Sequence, residues 1–473
     1  MSRAGRERLA VCALAAFAVA CWALVPTYPN YDSYYHLVWG RELLDGVSPS
    51  FEAYRAPTQH PLYLALCALL AGIFGAAADR VLVLVAALSL VALVWAVSRL
   101  GRAVFGTWPG IAAALLTGSS FALLLYAARA YVDVPFLALV IWAAALEAER
   151  PRERPVAVMS LLAAAGLLRP EAWLLAGVYW LWIAWPLRGG VRPGLLALAV
   201  SAPLAWAAVD LWVTGDPLHS LNATSDLAGE LNRERGLVNV PAALTRFLAD
   251  ALRPPVFLAA LGGLALASWR RDGRSQHVPI ALLGCGVLAF VAAGVAGLSL
   301  LPRYLTIPAV ALTLYAGYAA GGWISLPAGS RLRRRWAAAL AVLAVLGAGF
   351  VLARASVLDR FVTELRYIRS THEDLREILA LRAVSAGRTC GPVTLPNYRL
   401  VPDTRWILDA GRTQVGARSA KRRESGVALF YADRKSLRRF GFADGTSPST
   451  NAPDPGFVWI ARRGHFAAYV SCP

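Results

Sequence analysis

Two acids stand out against an apolar background because each lies beside aromatic residues at the edge of an apolar run. Asp32 sits in NYDSYYHLVWGRELLDG, just after the first such run, and Asp133 sits in AARAYVDVPFL, where another begins. A carboxylate can take the proton of a reacting hydroxyl, and an acid beside membrane-level aromatics needs a reason to be there. Each also has a local reading as a helix N-cap, with Pro135 suited to the first turn after Asp133. Two isolated arginines keep them company, Arg303 in LPRY and Arg169 in LRPEAW. A guanidinium can hold a phosphate in a bidentate grip, or it can snorkel or pair with an acid. For Arg169 the nearby Glu171 favours a local pair. His60, before Pro61, is a candidate contact for a phosphate or an acceptor, or simply an interfacial polar residue. Tyr35, with Tyr34 and Trp39, suits the headgroup level.

These residues must be positioned by membrane helices. The chain has 473 residues, 58% of them hydrophobic and 16% charged, with a mean hydropathy of +0.51. A soluble chain carries nearer a quarter charged residues, and each spanning helix needs about 20 apolar residues. The net charge of +18 comes almost wholly from Arg, with Lys421 and Lys435 the sole lysines. These arginines fall in short hinges between apolar runs, the pattern of topology determinants and not of a nucleic-acid surface. Heavy use of Ala, Arg and Gly points to a bacterium with a GC-rich genome.

Spans are expected over 9–26, 81–98, 109–128, 134–147, 155–168, 171–187, 194–213, 254–269, 279–298, 304–323 and 336–354. If 61–76 does not cross, the clusters around Arg6, Arg99, Arg152, Arg188, Arg271, Arg274 and Arg334 all share one side, the cytoplasmic one. The run 61–76 is therefore read as a membrane-dipping helix on the outer face. The expectation is an all-α polytopic membrane protein of about eleven spans, residues 1–354, followed by a small extracytoplasmic α/β domain, residues 355–473. Asp32, Asp133, Arg169, Glu171 and Arg303 then share the outer face. There the two acids can converge although a hundred residues separate them.

The order of the pieces resembles the GT-C superfamily, which uses polyprenyl-phosphate-linked sugars and includes protein O-mannosyltransferases, aminoarabinose transferases and the catalytic subunit of oligosaccharyltransferase. The likeness rests on an N-terminal anchor, a long outer loop with Asp32, the HPLY start of the dipping helix, the RLGRAVFG hinge and ARAYVDVP. It implies Asp32 as general base, Asp133 as an assisting acid, and outer arginines, Arg303 foremost, holding the phosphate of the leaving lipid. The substrate would be a polyprenyl-phosphate sugar among membrane lipids. The acceptor is open between protein, lipid and glycan. Two departures bear on metals: Asp32 lacks a following Glu, and the second motif has one acid where oligosaccharyltransferases have a DxD or DNE type. A divalent ion wants several oxygen ligands, so metal-independent transfer is expected, with a divalent metal left open and no other cofactor implied.

In the C-terminal domain the runs PVTL, RWILDA, VALFYA, GFVWIA and FAAYVSC read as strands after a helix from FVTELRYIRSTHEDLREILALRAV. Cys390 and Cys472 are a disulfide candidate if the domain faces an oxidising compartment. The competing functions are a transporter or lipid flippase, and a catalytically silent scaffold. The absence of an internal repeat and the scarcity of ionisable residues at mid-span argue against transport.

Overall fold

The computed structural model describes residues 3–184, 192–270, 276–354, 356–441 and 448–472. Arg188, Arg271 and Arg274, among the arginines used to orient the chain, lie outside the described residues. The chain forms α1 (Arg3–Leu24), α2 (Tyr31–Leu44), α3 (Pro61–Phe74), α4 (Ala78–Phe105), α5 (Thr107–Gly118), α6 (Phe121–Ala128), α7 (Asp133–Glu149) and α8 (Pro155–Leu168). It continues with α9 (Glu171–Ala184), α10 (Pro193–Thr214), α11 (His219–Glu230), α12 (Val240–Leu252), α13 (Pro254–Arg270), α14 (His277–Val295), α15 (Thr306–Gly321) and α16 (Arg331–Ala353). It is a polytopic helical membrane protein with a small C-terminal sheet domain.

Burial orders the helices. In the apolar segment Pro302–Ser325, which contains α15, 83% of the spanning window is buried within the protein, against 0% for α1 and 6% for α16. So α15 is an axis of the bundle, while α1 and α16 turn residues such as Phe17 and Leu346 outward. Small residues permit the closest crossings. A Cβ on Gly317 would meet the Pro109 carbonyl oxygen at 2.5 Å, and one on Gly40 would meet the Ala68 nitrogen at 2.6 Å. Glycine is thus required where α15 touches α5 and where α2 crosses α3.

One expected straight span is broken, and another follows a sharp bend. Residues 109–128 divide into α5 and α6, bent by 55°, where Ser119 Oγ donates back to the Leu115 carbonyl at 2.8 Å and competes with the helix ladder. The expected span 254–269 is α13, and it joins the preceding helix at 106°. Arg253 takes φ 65° there, and Pro254 disfavours a helical residue before it. The segment between α10 and α13 is largely α11 and α12. Among the described residues, six helices are long and apolar enough to cross a membrane, or up to eight if each bent pair is one span. α8 has 14 residues, about 21 Å of helix against a hydrocarbon core of roughly 30 Å. The run from Pro61 to Phe105 is interrupted at Gly75, φ 51° and ψ −128°, so residues 61–76 do not continue α4 as one rod.

Beyond the bundle come α17 (Ser356–Leu379), α18 (Arg382–Gly387) and α19 (Val401–Leu408). Five strands follow the order β2-β1-β3-β5-β4: β1 (Val393–Leu395), β2 (Val415–Ala417), β3 (Gly426–Tyr431), β4 (Val458–Arg463) and β5 (Phe466–Ser471). β1 pairs in parallel with β2 and β3, and β5 pairs antiparallel with β3 and β4. Cys390 and Cys472 are bonded, with Cα atoms 5.2 Å apart. The run RWILDA, expected as a strand, is instead the end of α19. Pro402 opens that helix at a position where its missing N–H costs nothing, and Asp409 closes it in the left-handed region. The place in the sheet goes to β2, which the sequence reading did not anticipate.

Candidate active site

Asn30, not Asp32, caps α2. Its side chain accepts from the Ser33 N–H, and its Nδ2 donates to the Arg129 carbonyl at 3.1 Å. The Asn30 N–H reaches the same carbonyl at 2.9 Å. Ser33 Oγ and Tyr63 Oη both donate to the Ala130 carbonyl, at 2.7 and 2.5 Å. These bonds tie the start of α2, which carries Asp32, to the short link before α7, which carries Asp133. Asp133 is not a cap either, because it is the first residue of α7, after Val132.

With its capping role taken, Asp32 is free to face a cavity. Its Oδ2 accepts from Arg303 Nη1 at 2.9 Å, and both side chains are about a quarter exposed. Arg303 rides on the 3-10 turn Pro302–Leu305 at the head of buried α15, so its backbone is fixed. Arg303 Nε is buried without a hydrogen-bond partner. The Asp133 carboxylate is fully buried and takes an ion pair from Arg169 Nη1. Arg169 Nη2 also donates to Glu171 Oε1 at 2.7 Å. The expected Arg169–Glu171 pair is therefore half of a triad. Tyr304 touches both clusters, with Arg169 5.1 Å and Arg303 6.0 Å from its ring centroid.

His36 Nδ1 lies 2.7 Å from the Asp32 carbonyl, and His36 Nε2 lies 3.1 Å from the His60 N–H. Burial pushes the His36 imidazole down to about 4. A neutral ring that donates from Nδ1 and accepts at Nε2 satisfies both contacts. His60 stacks on His36 at 5.1 Å and supports the backbone of the site from behind. Tyr35 packs on Trp39 and Phe51 and borders a separate cavity of 520 Å³.

The cavity bordered by Asp32 and Arg303 has a volume of 590 Å³, within the roughly 300–1,000 Å³ of small-molecule sites. Asp133, Arg169, Glu171, His60 and Tyr35 do not border it. Several residues that the sequence reading did not single out do: Arg55, Arg129, Tyr131, Arg233, Glu364, His372, Tyr398, Arg399, Asp403 and Arg439. Part of this was legible. Arg129 shares the link with Asp133, away from every Arg-rich hinge, and Glu364, Tyr367, Ile368, Thr371, His372 and Leu375 repeat at helical spacing along α17. Glu42 receives Arg405 of α19 at 2.6 Å.

Asp32, Asp133 and Glu171 each hold a guanidinium, and among the described residues no cluster of three or more His, Cys, Asp or Glu is disposed to take a metal. Arginines line the cavity together with aromatic rings.

No protein-family model matches this sequence, and no match is found among curated proteins. Solved structures do match. ArnT from Cupriavidus metallidurans bound to undecaprenyl phosphate is 13% identical, with a TM-score of 0.54 over 97% of each chain. Its apo form gives 0.56 at 13% identity, over 99% of this chain and 98% of that one. The Archaeoglobus fulgidus oligosaccharyltransferase in the apo form gives 0.50 at 12% identity, over 98% of this chain and 74% of that one. The chain adopts the fold of these solved structures. The match runs through the C-terminal sheet domain as well as the bundle, since the ArnT alignments leave almost none of it uncovered.

Proposed function

We propose that this protein is a membrane glycosyltransferase that moves a monosaccharide from a polyprenyl phosphate to an acceptor hydroxyl, with inversion at the anomeric carbon. The observation that carries the reading is the Asp32–Arg303 pair bordering the cavity. Undecaprenyl phosphate is the ligand of one structural neighbour, and Arg303 suits the phosphate of such a donor. When that phosphate takes Arg303, Asp32 is released to receive the acceptor proton. The acceptor oxygen then bonds the anomeric carbon as the bond from that carbon to the phosphate oxygen breaks. The negative charge left on the lipid phosphate rests on Arg303. The Asp133–Arg169–Glu171 triad is buried behind this pair and holds the outer ends of α7, α8 and α9 in register, a positioning role.

The same reading places the chemistry on the outer face of a bacterial plasma membrane, with the N-terminus cytoplasmic. Support comes from Arg99 and Arg102 pairing with Glu149 and Glu7 at the bundle end away from Asp32. The Cys390–Cys472 bond suits an oxidising compartment. The break between α16 and α17 supports units of 1–354 and 355–473.

The test is transfer of radiolabelled sugar from polyprenyl-phosphate sugars in isolated membranes, wild type against Asp32→Asn at matched protein level. Loss of a general base lowers turnover about 10²–10⁴-fold. Equal transfer by the two proteins removes Asp32 from the chemistry.

A further inference from the structure

The wall of the reaction cavity opposite the membrane helices comes from the C-terminal sheet domain, and it carries a carboxyl of its own. Asp403, in the first turn of α19, is 9% exposed and borders the same 590 Å³ cavity as Asp32 and Arg303. Its carboxyl turns toward its own backbone N–H and has no ion-pair partner. That is unusual in a cavity this rich in arginine, since buried carboxylates are ordinarily paired. Arg129, another residue of the cavity wall, has its Nε buried without a hydrogen-bond partner.

The position of Asp403 is held firmly. Arg405, two residues on, is buried and donates to Glu42 Oε1 at 2.6 Å and to Ser50 Oγ at 3.0 Å. Arg41 returns the grip, donating to the Arg405 carbonyl at 2.9 Å. Glu42 and Arg41 end the helix whose first turn carries Asp32, so α2 positions both acids. A buried carboxyl with no ion-pair partner, bordering the same cavity as Asp32 and Arg303, is placed to receive hydroxyl groups.

We propose that Asp403 is a substrate-contacting residue of the transferase site, hydrogen-bonding a hydroxyl of the sugar or of its acceptor; this rests on the transferase reading above. Burial supports such a role by pushing its carboxyl up to about 7 against the opposing pull of Arg129, so both the donating and the accepting form are available near neutral pH. The competing explanation is structural, an acid favoured in the first turn of a helix.

The experiment uses the full chain in detergent or membranes, with Asp403→Asn and Asp403→Ser beside wild type and Asp32→Asn. Three readouts are taken: kcat and KM for transfer, affinity for undecaprenyl phosphate and for the sugar-loaded donor, and the thermal unfolding temperature. The expected result is a tenfold or greater fall in kcat/KM for both Asp403 variants. Unfolding temperatures should not fall, and affinity for bare undecaprenyl phosphate should stay within twofold. Weaker binding of the sugar-loaded donor alone assigns the contact to the sugar, and a raised acceptor KM alone assigns it to the acceptor. Either pattern supports the proposal. Transfer within twofold of wild type, or losses that follow a lowered unfolding temperature in both variants, overturns it and leaves the transferase reading standing on Asp32→Asn. No transfer by wild type with any donor overturns both.

Discussion

Replacing Asp403 by Asn should stabilise the protein, and more so in alkaline than in mildly acidic buffer. The folded protein raises this carboxyl from 3.8 to about 7, chiefly through burial, with Asp79 adding to the effect and Arg129 opposing it. An acid whose folded pKa lies above its unfolded one keeps its proton in the folded state after the unfolded chain has lost it. Stability therefore falls as pH rises from about 4 to about 7, and the full loss is present above that window. Between pH 5.5 and pH 8 the loss works out at about 2 kcal/mol. Asn has no proton to lose, so the stability gap between variant and wild type should widen by that amount. For a chain of this length it corresponds to about 2 °C in unfolding temperature. Intrinsic fluorescence of the 16 tryptophans follows unfolding of the detergent-solubilised protein at the two pH values. A gap that stays constant, or narrows in alkali, would show that the carboxyl is ionised throughout and refute the reasoning. A variant that is both more stable and less active is the signature of a group held in a costly state for function.

Breaking the buried Asp133–Arg169 pair should be worse than removing it. Arg169→Met alone strands two acids, Asp133 and Glu171, and should cost about 3–5 kcal/mol, whereas Asp133→Ala alone leaves Arg169 paired with Glu171 and should cost less; the double variant with Asp133→Ala and Arg169→Met should cost less than the two singles summed. A double-mutant cycle on unfolding temperature reads this, and strict additivity would mean the two do not act as a pair. Cys390→Ser with Cys472→Ser opens a bridge spanning 82 residues, for which loop entropy gives about 4–5 kcal/mol. The C-terminal domain should then become protease-sensitive at lower temperature while α1 to α16 stay resistant, and unchanged protease resistance would rule the staple out.

The helical membrane architecture was legible in the sequence, and Asp32 and Asp133 stood out in it, because a bilayer imposes long apolar runs and makes each charge near them conspicuous. The strands PVTL, VALFYA, GFVWIA and FAAYVSC were legible for a related reason, since apolar runs between turn residues fit a half-buried sheet. RWILDA was not. Its fate turned on Arg405, whose partners Glu42 and Ser50 lie some 360 residues away, and local preference cannot anticipate a tertiary ion pair. The bend between α5 and α6 was hidden likewise, because two serines in an apolar run are compatible with a straight helix.

The site divides along the same line. The residue types were set by the sequence: an acid in each of two outer segments and an arginine at the start of a late helix. Which acid meets which arginine was decided by the fold. Asn30 and Ser33 bind the Arg129–Ala130 backbone, α15 carries Arg303 to Asp32, and Arg169 is left to Asp133. The sheet domain closes the cavity with α17 and Asp403, residues that in sequence look like an ordinary amphipathic helix and a helix start. A chain's local pattern records how each segment meets water or lipid. What segments hundreds of residues apart offer one another is settled by packing, and that is where the second carboxyl of this site came from.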